Sequence, residues 1–127
     1  MKLYIAGKFS EKEQIKKYME EAIKLGHTIT HDWTSFENEG DDKERMKRSA
    51  EKDIIGVQNC DCVIAILTDP KYAYRGTWCE IGCSMGLGKK VIMVNPNKDA
   101  YCTTNCFYHH PNIVHVDNWD DALEKLN

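Results

Sequence analysis

The sequence of 127 residues has little that is typical of a membrane, secreted or nucleic-acid-binding protein. No apolar run approaches the roughly 20 residues that a transmembrane helix needs. The apolar stretch at the N-terminus is too short and too soon interrupted for a signal peptide, so we expect a cytoplasmic protein. The 17 basic and 20 acidic residues give a net charge of −3, whereas proteins that bind nucleic acid usually have a basic face. We therefore expect no binding to a membrane or to a nucleic acid polymer.

Common catalytic and cofactor motifs are also missing. The chain contains neither a G-x-S-x-G elbow nor a Walker loop. A single glycine, Gly7, follows the first predicted strand, where a dinucleotide-binding protein has G-x-G-x-x-G. The sequence therefore predicts no cofactor. Backbone amides at this turn, together with Lys8 and Ser10, could still bind an anion.

The six cysteines fit neither a disulfide framework nor a zinc site. Nothing in the sequence indicates export, so we interpret them as thiols. A zinc site would need paired C-x2-C knuckles or Cys and His at standard spacing. Cys106 with His109 and His110 is the nearest approach to such a set, and we expect no metal. Free cysteines are more commonly small buried apolar residues.

Strands and helices alternate along the chain. Apolar patterning predicts strands at residues 3–7, 28–31, 62–67, 90–94 and 113–116. It predicts helices at residues 10–25, 42–58 and 77–87 and a last helix after residue 118, with polar loops at 33–42 and 95–111. Ser10 with Glu13 forms a predicted capping box, and Asn118 is the predicted cap of the last helix.

This alternation is typical of a parallel sheet covered by helices on both faces. We predict a single α/β domain over residues 1–127, with a doubly wound, flavodoxin- or Rossmann-like sheet of five parallel strands. Ligands of such folds bind at the carboxyl ends of the strands.

One carboxylate interrupts an apolar stripe of the second helix. The stripe consists of Met46, Ala50, Ile54 and Val57, and Asp53 falls within it. A carboxylate that faces a core is costly unless it is hydrogen-bonded or has a function. Asp53 is therefore either a cap for a neighbouring group at the edge of the stripe or a functional residue.

Glu80 is a second carboxylate of interest, in the first turn of the third predicted helix. The helix dipole favours an ionised carboxylate there, which is the nucleophilic form. An ordinary first-turn glutamate is the alternative, and position alone slightly favours it.

Three segments together resemble the nucleoside 2-deoxyribosyltransferases and the related 2′-deoxynucleoside 5′-monophosphate N-glycosidases. They are residues 3–7 (LYIAG), 53–61 (DIIGVQNCD) and 76–82 (GTWCEIG), the last leading to 88–91 (GKKV). The resemblance extends from Leu3 to about Leu126.

The resemblance implies an enzyme that cleaves the N-glycosidic bond of 2′-deoxynucleosides through a covalent glycosyl-enzyme and transfers the sugar to another nucleobase. Hydrolysis of nucleoside 5′-monophosphates and a non-catalytic nucleotide-sensing module on the same fold are the alternatives. A small-molecule nucleoside or nucleotide is the implied ligand, and a homodimer or higher homo-oligomer is the implied assembly.

The resemblance also implies roles for individual residues. Glu80 matches the nucleophile that attacks the anomeric carbon, and Asp53 matches the aspartate that orients the substrate and assists proton transfer to the leaving base. Tyr4 matches the tyrosine that positions the nucleophile. The residues expected to bind substrate are Gly7, Lys8, Ser10, Asp69, Arg75, Gly76, Trp78 and Asn105. Of these, Asn105 falls where family transferases offer an asparagine to a neighbouring subunit.

Two positions depart from the family pattern. Trp78 stands two residues before Glu80, where the family usually has a small residue. Tyr74 stands where transferases often have an aspartate and the 5′-monophosphate glycosidases tend to have a serine; the nearest carboxylate is Asp69. Three side chains could bind a phosphate in place of that serine: Lys8, Ser10 and Arg75.

Overall fold

The structure, a computed structural model, describes residues 1–35 and 42–127. Residues 36–41 of the predicted loop 33–42 lie outside the described residues. The described part forms a five-stranded parallel sheet with the order β2-β1-β3-β4-β5. The strands are β1 (Lys2–Ala6), β2 (Thr28–Ile29), β3 (Cys62–Ile66), β4 (Lys90–Val94) and β5 (Ile113–Val116). The predicted α/β fold is confirmed.

Four α-helices and three short 3-10 helices connect the described strands. The α-helices are α1 (Lys12–Lys24), α2 (Asp42–Asn59), α3 (Arg75–Gly86) and α4 (Trp119–Glu124). The 3-10 helices span Phe9–Glu11, Tyr101–Thr104 and Cys106–His109. None of the helices within residues 1–35 and 42–127 is long and apolar enough to cross a membrane.

The strand sequences determine which side chains face which helices. All five residues of β3 are buried, as expected for a central strand covered on both faces. In β1, Leu3 and Ile5 pack in the cluster that α1 and α4 cover. Successive side chains of a strand point to opposite faces, so Tyr4 faces the other side, where α2 contributes Val57. The face covered by α2 and α3 therefore includes the side chain of Tyr4.

Two helix starts differ from the prediction. The predicted capping box of Ser10 and Glu13 is wrong because Ser10 belongs to a 3-10 turn and α1 begins at Lys12. Glu11 occupies the N-cap, and its carboxylate accepts a hydrogen bond from Thr68 Oγ1 at 2.8 Å. By contrast, the Asn118 cap of α4 is confirmed, since its Oδ1 accepts the Asp121 amide at 2.8 Å.

The apolar stripe predicted for α2 is only partly a core element. Val57 is fully buried, whereas Met46 is 63% exposed and Ala50 is also exposed. The prediction that Met46 and Ala50 face the core is wrong, because only the C-terminal end of α2 packs on the sheet. The first half of the helix extends past this contact.

The predicted loop at 95–111 contains two of the 3-10 helices and is attached to the sheet by Asn95. This residue is 2% exposed, and its Nδ2 donates to the hydroxyl of Tyr108 at 3.1 Å. A buried amide that is hydrogen-bonded in this way fixes the path of the loop.

Candidate active site

Tyr4 connects the two carboxylates that the sequence singles out. Its ring is 1% exposed, and its hydroxyl donates to Oε2 of Glu80 on α3. The carboxylate of Asp53 on α2 lies near the same hydroxyl and contributes to its electrostatic environment. Burial and the two neighbouring acids raise the pKa of Tyr4, so the hydroxyl keeps its proton. One phenol thus lies between Glu80 and Asp53.

Glu80 lies in a different part of its helix from that predicted. Helix α3 begins at Arg75, so Glu80 is its sixth residue and the expectation of a first-turn position is wrong. The early start follows Tyr74, whose φ of 52° is in the left-handed region. Burial raises the pKa of Glu80 to about 8, and the Tyr4 hydrogen bond opposes this shift. Desolvation is therefore the main cause of the raised pKa of Glu80.

Asp53 is also partly desolvated. Burial raises the pKa of Asp53 to about 6, and the nearby Tyr4 hydroxyl opposes this shift. His31 Nε2 lies 3.5 Å from Asp53 Oδ1, and burial lowers the pKa of this histidine. A neutral imidazole therefore lies beside Asp53 near pH 7.

Two coupled acids titrate as a pair, so between about pH 6 and pH 8 the Asp53–Glu80 pair holds one proton. The Tyr4 hydroxyl can accept a hydrogen bond from the protonated acid and donate to the ionised one. The pair can therefore present one carboxylate and one carboxylic acid at neutral pH.

Gly56 allows this arrangement through close packing. A Cβ atom at residue 56 would lie 2.8 Å from the Cβ of His31 and 2.9 Å from Cδ2 of Tyr4. Thr30 Oγ1 donates to the Gly56 carbonyl at 2.7 Å, which holds the end of β2 against α2. Gly56 was missed as a site residue, although a glycine inside a helical pattern is a recognisable signal of close packing.

A cavity of about 770 Å³ surrounds the two acids. It brings together five predicted site residues: Tyr4, Gly7, Asp53, Gly76 and Glu80. Its wall also includes side chains that were not predicted: Phe9, Trp33, Arg45, Met46, Ser49 and Tyr72. Arg45, Ser49 and Asp53 are spaced four apart on α2 and share a helix face, a signal that the sequence did contain.

Lys8 and Asp69 form an ion pair next to this cavity. Lys8 Nζ lies 2.5 Å from Asp69 Oδ2 and 4.8 Å from the ring centroid of Tyr72, which lines the cavity. The Lys8 hydrogen bond lowers the pKa of Asp69, so the carboxylate stays ionised. Ser10 and Arg75 are exposed to solvent.

Trp78 and Asn105 lie in a different place from the acids. They line a second, mostly apolar cavity of about 600 Å³ between α3 and the 3-10 segment. The side chain of Asn105 accepts the amide of Phe107 at 2.9 Å and so caps the 3-10 helix. The structure does not bring these two residues to the acids of the same chain.

The thiols are distributed over core and surface. Cys60, Cys62 and Cys102 are buried free cysteines, whereas Cys79 and Cys106 are exposed. The interpretation as buried apolar residues therefore applies to the first three. Within the described ranges, no group of three or more His, Cys, Asp or Glu residues could hold a metal ion.

Comparison with known proteins identifies a matching family and several similar structures. The family model described as nucleoside 2-deoxyribosyltransferase matches residues 3–120. A 2-deoxyribosyltransferase from Bacillus psychrosaccharolyticus is 25% identical with a TM-score of 0.73, over 96% of this chain and 90% of that one.

Two further structures show the same fold. The CMP N-glycosidase BcmB of Clostridium botulinum is 23% identical with a TM-score of 0.62, over 99% of this chain and 98% of that one. A conserved protein from Enterococcus faecalis V583 is 16% identical with a TM-score of 0.65, over 99% and 96%. Among curated proteins, none matches the chain.

Proposed function

Since the chain belongs to the nucleoside 2-deoxyribosyltransferase family, we propose that it cleaves the N-glycosidic bond of 2′-deoxynucleosides and transfers the deoxyribosyl group to another nucleobase. The main support is that Tyr4, whose hydroxyl donates to Glu80, lines one cavity together with Glu80 and Asp53. The cavity volume of about 770 Å³ is in the usual range for small-molecule sites.

Glu80 is the proposed nucleophile. Its carboxylate attacks the anomeric carbon, a C–O bond forms, and the C–N bond breaks with its electron pair passing to the base. Positive charge develops on the sugar as this bond breaks, and a carboxylate beside the ring stabilises it. The same positive charge favours the ionised form of Glu80, which leaves the single proton of the pair on Asp53.

Asp53 is the proposed acid and base. In the first step it donates its proton to the departing base, which leaves as a neutral molecule. In the second step a nitrogen of the incoming base attacks the anomeric carbon, and Asp53 takes up the proton that this nitrogen loses. The C–O bond to Glu80 breaks, and both acids return to their starting states.

The test is chromatography of the bases and nucleosides formed from 2′-deoxynucleosides and from their 5′-monophosphates. Each substrate is incubated with and without a second free base. We expect a new deoxynucleoside that carries the added base, and we expect Glu80→Gln to abolish its formation. Glu20→Gln is the matched control, because Glu20 is an exposed glutamate on α1, across the sheet from the cavity. Full turnover by Glu80→Gln would refute the nucleophile.

The proposed covalent intermediate on Glu80 can be detected directly. Acid quenching of the reaction during turnover, followed by peptide mass spectrometry, is expected to find one deoxyribosyl group on the peptide that contains Glu80. Modification of another residue would exclude Glu80 as the attacking group.

Hydrolysis of a nucleoside 5′-monophosphate is the second candidate. Arg45 is one of the residues that line the cavity. Its guanidinium donates to Asp42 at 2.6 Å, and guanidinium groups bind phosphates well. Free base from monophosphates without exchange would favour this candidate. Tight binding of intact nucleotide without any product, together with identical behaviour of Glu80→Gln, would favour a sensing module.

We also propose a homodimer or higher homo-oligomer. The second cavity is mostly apolar, and Phe107, which lines it, is 56% exposed. Light scattering coupled to gel filtration tests this, and a monomeric mass at micromolar concentration would contradict it. Asn105 and Trp78 would then lie at the contact between subunits.

A further inference from the structure

We infer that His31 is a positioning residue for Asp53: its imidazole donates to Oδ1 of Asp53, so that Oδ2, which carries the proton, faces the base. The inference rests on the proposed function, because it concerns the proton that Asp53 gives to the leaving base. His31 follows β2 and was not among the predicted site residues. It depends on the fixed position of His31, its distance from Asp53 and its charge.

The chain on either side of His31 is attached to its neighbours in the fold. Thr30 Oγ1 donates to the Gly56 carbonyl on α2 at 2.7 Å. Two residues after His31, Trp33 Nε1 donates to the Ile5 carbonyl on β1 at 2.7 Å. His31 therefore lies between two hydrogen bonds that hold the segment after β2 against α2 and β1.

Gly56 allows His31 to pack on the face of α2 that carries Asp53. Asp53 and Gly56 are three residues apart, so they lie on one face of the helix. A Cβ atom at residue 56 would lie 2.8 Å from the Cβ of His31, so the glycine leaves room for the histidine. His31 Nε2 lies 3.5 Å from Asp53 Oδ1. Hydrogen bonds of catalytic groups are often long in the free enzyme and shorten when substrate binds.

His31 is uncharged near pH 7. Its side chain is 15% exposed, and burial is the largest effect that lowers its pKa. Asp32 raises the pKa of His31 and Lys52 lowers it, so these two charges oppose each other. A neutral imidazole has one N–H, and an acceptor oxygen opposite Nε2 favours the tautomer in which Nε2 carries that hydrogen.

A neutral donor at Oδ1 has two effects on Asp53. It holds the carboxyl group in one orientation, with Oδ2 toward the cavity where the base is protonated. It also stabilises the carboxylate that remains after the proton has left, in a place where burial penalises this charge. Other titratable groups around Asp53 and His31 come from several elements: Tyr4 on β1, Glu80 on α3, Arg45 and Lys52 on α2, and Asp32 beside His31.

The test measures kcat and KM for base release from a 2′-deoxynucleoside at a series of pH values. His31→Leu keeps an apolar side chain in the same place but has no N–H. We expect kcat to fall on the order of tenfold or more, the effect of one hydrogen bond to a charged group, with KM roughly unchanged. We also expect the acid side of the pH profile to move to higher pH, because the ionised form of Asp53 loses a donor.

His31→Gln separates the donor from the imidazole itself. A glutamine amide has N–H donors, reaches about as far as Nε2 and does not titrate. This variant is expected to restore most of kcat and to return the acid side of the profile to the wild-type position. A glutamine variant as slow as His31→Leu, or a leucine variant with wild-type kcat and profile, overturns the inference while the proposed function stands.

His27→Leu is the matched control. His27 is a half-buried histidine that precedes β2, whereas His31 follows it, so His27 lies at the opposite edge of the sheet from the cavity. This variant is expected to leave kcat and the pH profile unchanged. Thermal unfolding of all three variants shows whether a lost rate reflects lost folding.

The tautomer of His31 gives a readout that is independent of activity. Long-range proton–nitrogen NMR of the wild type at pH 7, assigned with His31→Gln, is expected to find the hydrogen on Nε2. A hydrogen on Nδ1 overturns the inference, because a bare Nε2 cannot donate to Asp53. If the wild type releases no base from any substrate, the proposed function is refuted, and the tautomer still tests the contact between His31 and Asp53.

Discussion

Removal of the Tyr4 hydroxyl is the most direct test of how Glu80 and Asp53 are arranged. Tyr4→Phe keeps a buried ring of the same shape and deletes only the hydroxyl that donates to Glu80 and lies near Asp53. A hydrogen bond to a charged group contributes about 1.5–3 kcal/mol. Since about 1.4 kcal/mol corresponds to a factor of ten, we expect kcat/KM to fall on the order of tenfold to a hundredfold.

The pH profile is the more specific readout. Burial raises the pKa of Asp53 to about 6 and of Glu80 to about 8, so the wild type holds one shared proton between these values. Below about pH 6 both acids are protonated and the nucleophile is lost, whereas above about pH 8 both are ionised and the proton donor is lost. We therefore expect a bell-shaped profile of kcat/KM.

Tyr4→Phe is expected to move both limbs of this profile to higher pH. The reason is that the Tyr4 hydroxyl lowers the pKa of each acid against the effect of burial, so its removal leaves burial unopposed. The matched control is Tyr101→Phe, since Tyr101 is 63% exposed. A Tyr4→Phe enzyme with an unchanged profile and rate would refute the proposed role of the phenol between the acids.

Two further predictions concern stability. Alanine is favoured over glycine in a helix by up to about 1 kcal/mol, so Gly82→Ala, which meets nothing within 4 Å, is expected to stabilise the protein. Gly56→Ala should instead destabilise the protein by about 1–3 kcal/mol because its Cβ would overlap Tyr4 and His31. Urea unfolding of both variants measures these opposite changes. Equal changes in the free energy of unfolding would contradict the close packing at Gly56. Glu80→Gln is expected to be more stable than the wild type at pH 7, on the order of 1–3 kcal/mol, because the raised pKa of Glu80 means that folding penalises its ionised form. That penalty is absent below about pH 4, the usual pKa of an unfolded glutamate, and it grows as the pH rises toward 8. Thermal unfolding should therefore show the stability difference between Glu80→Gln and the wild type vanish near pH 4. A stability difference independent of pH would contradict the raised pKa of Glu80.

The fold was predictable because its signals are local. The apolar run from Cys62 to Ile66 is typical of a strand covered on both faces, and it forms the buried centre of the sheet. The Asn118 cap needs only a side-chain oxygen three residues before an amide, and it forms as predicted. Ser10 failed as a cap because the turn after β1 continues as a 3-10 helix, a choice that involves Thr68 from a distant segment.

Some residues of the candidate site could be proposed from the sequence, whereas their electrostatics could not. The sequence by itself, through strand and helix periodicity and a family resemblance, was sufficient to single out Tyr4, Asp53 and Glu80. Only the tertiary structure decided that the phenol of Tyr4 donates to Glu80 beside Asp53, and that burial raises the pKa of each acid. The pairing of Lys8 with Asp69 likewise joins residues 61 positions apart. Desolvation and long-range contacts depend on what every other segment packs against, and a local pattern of residues does not contain that information.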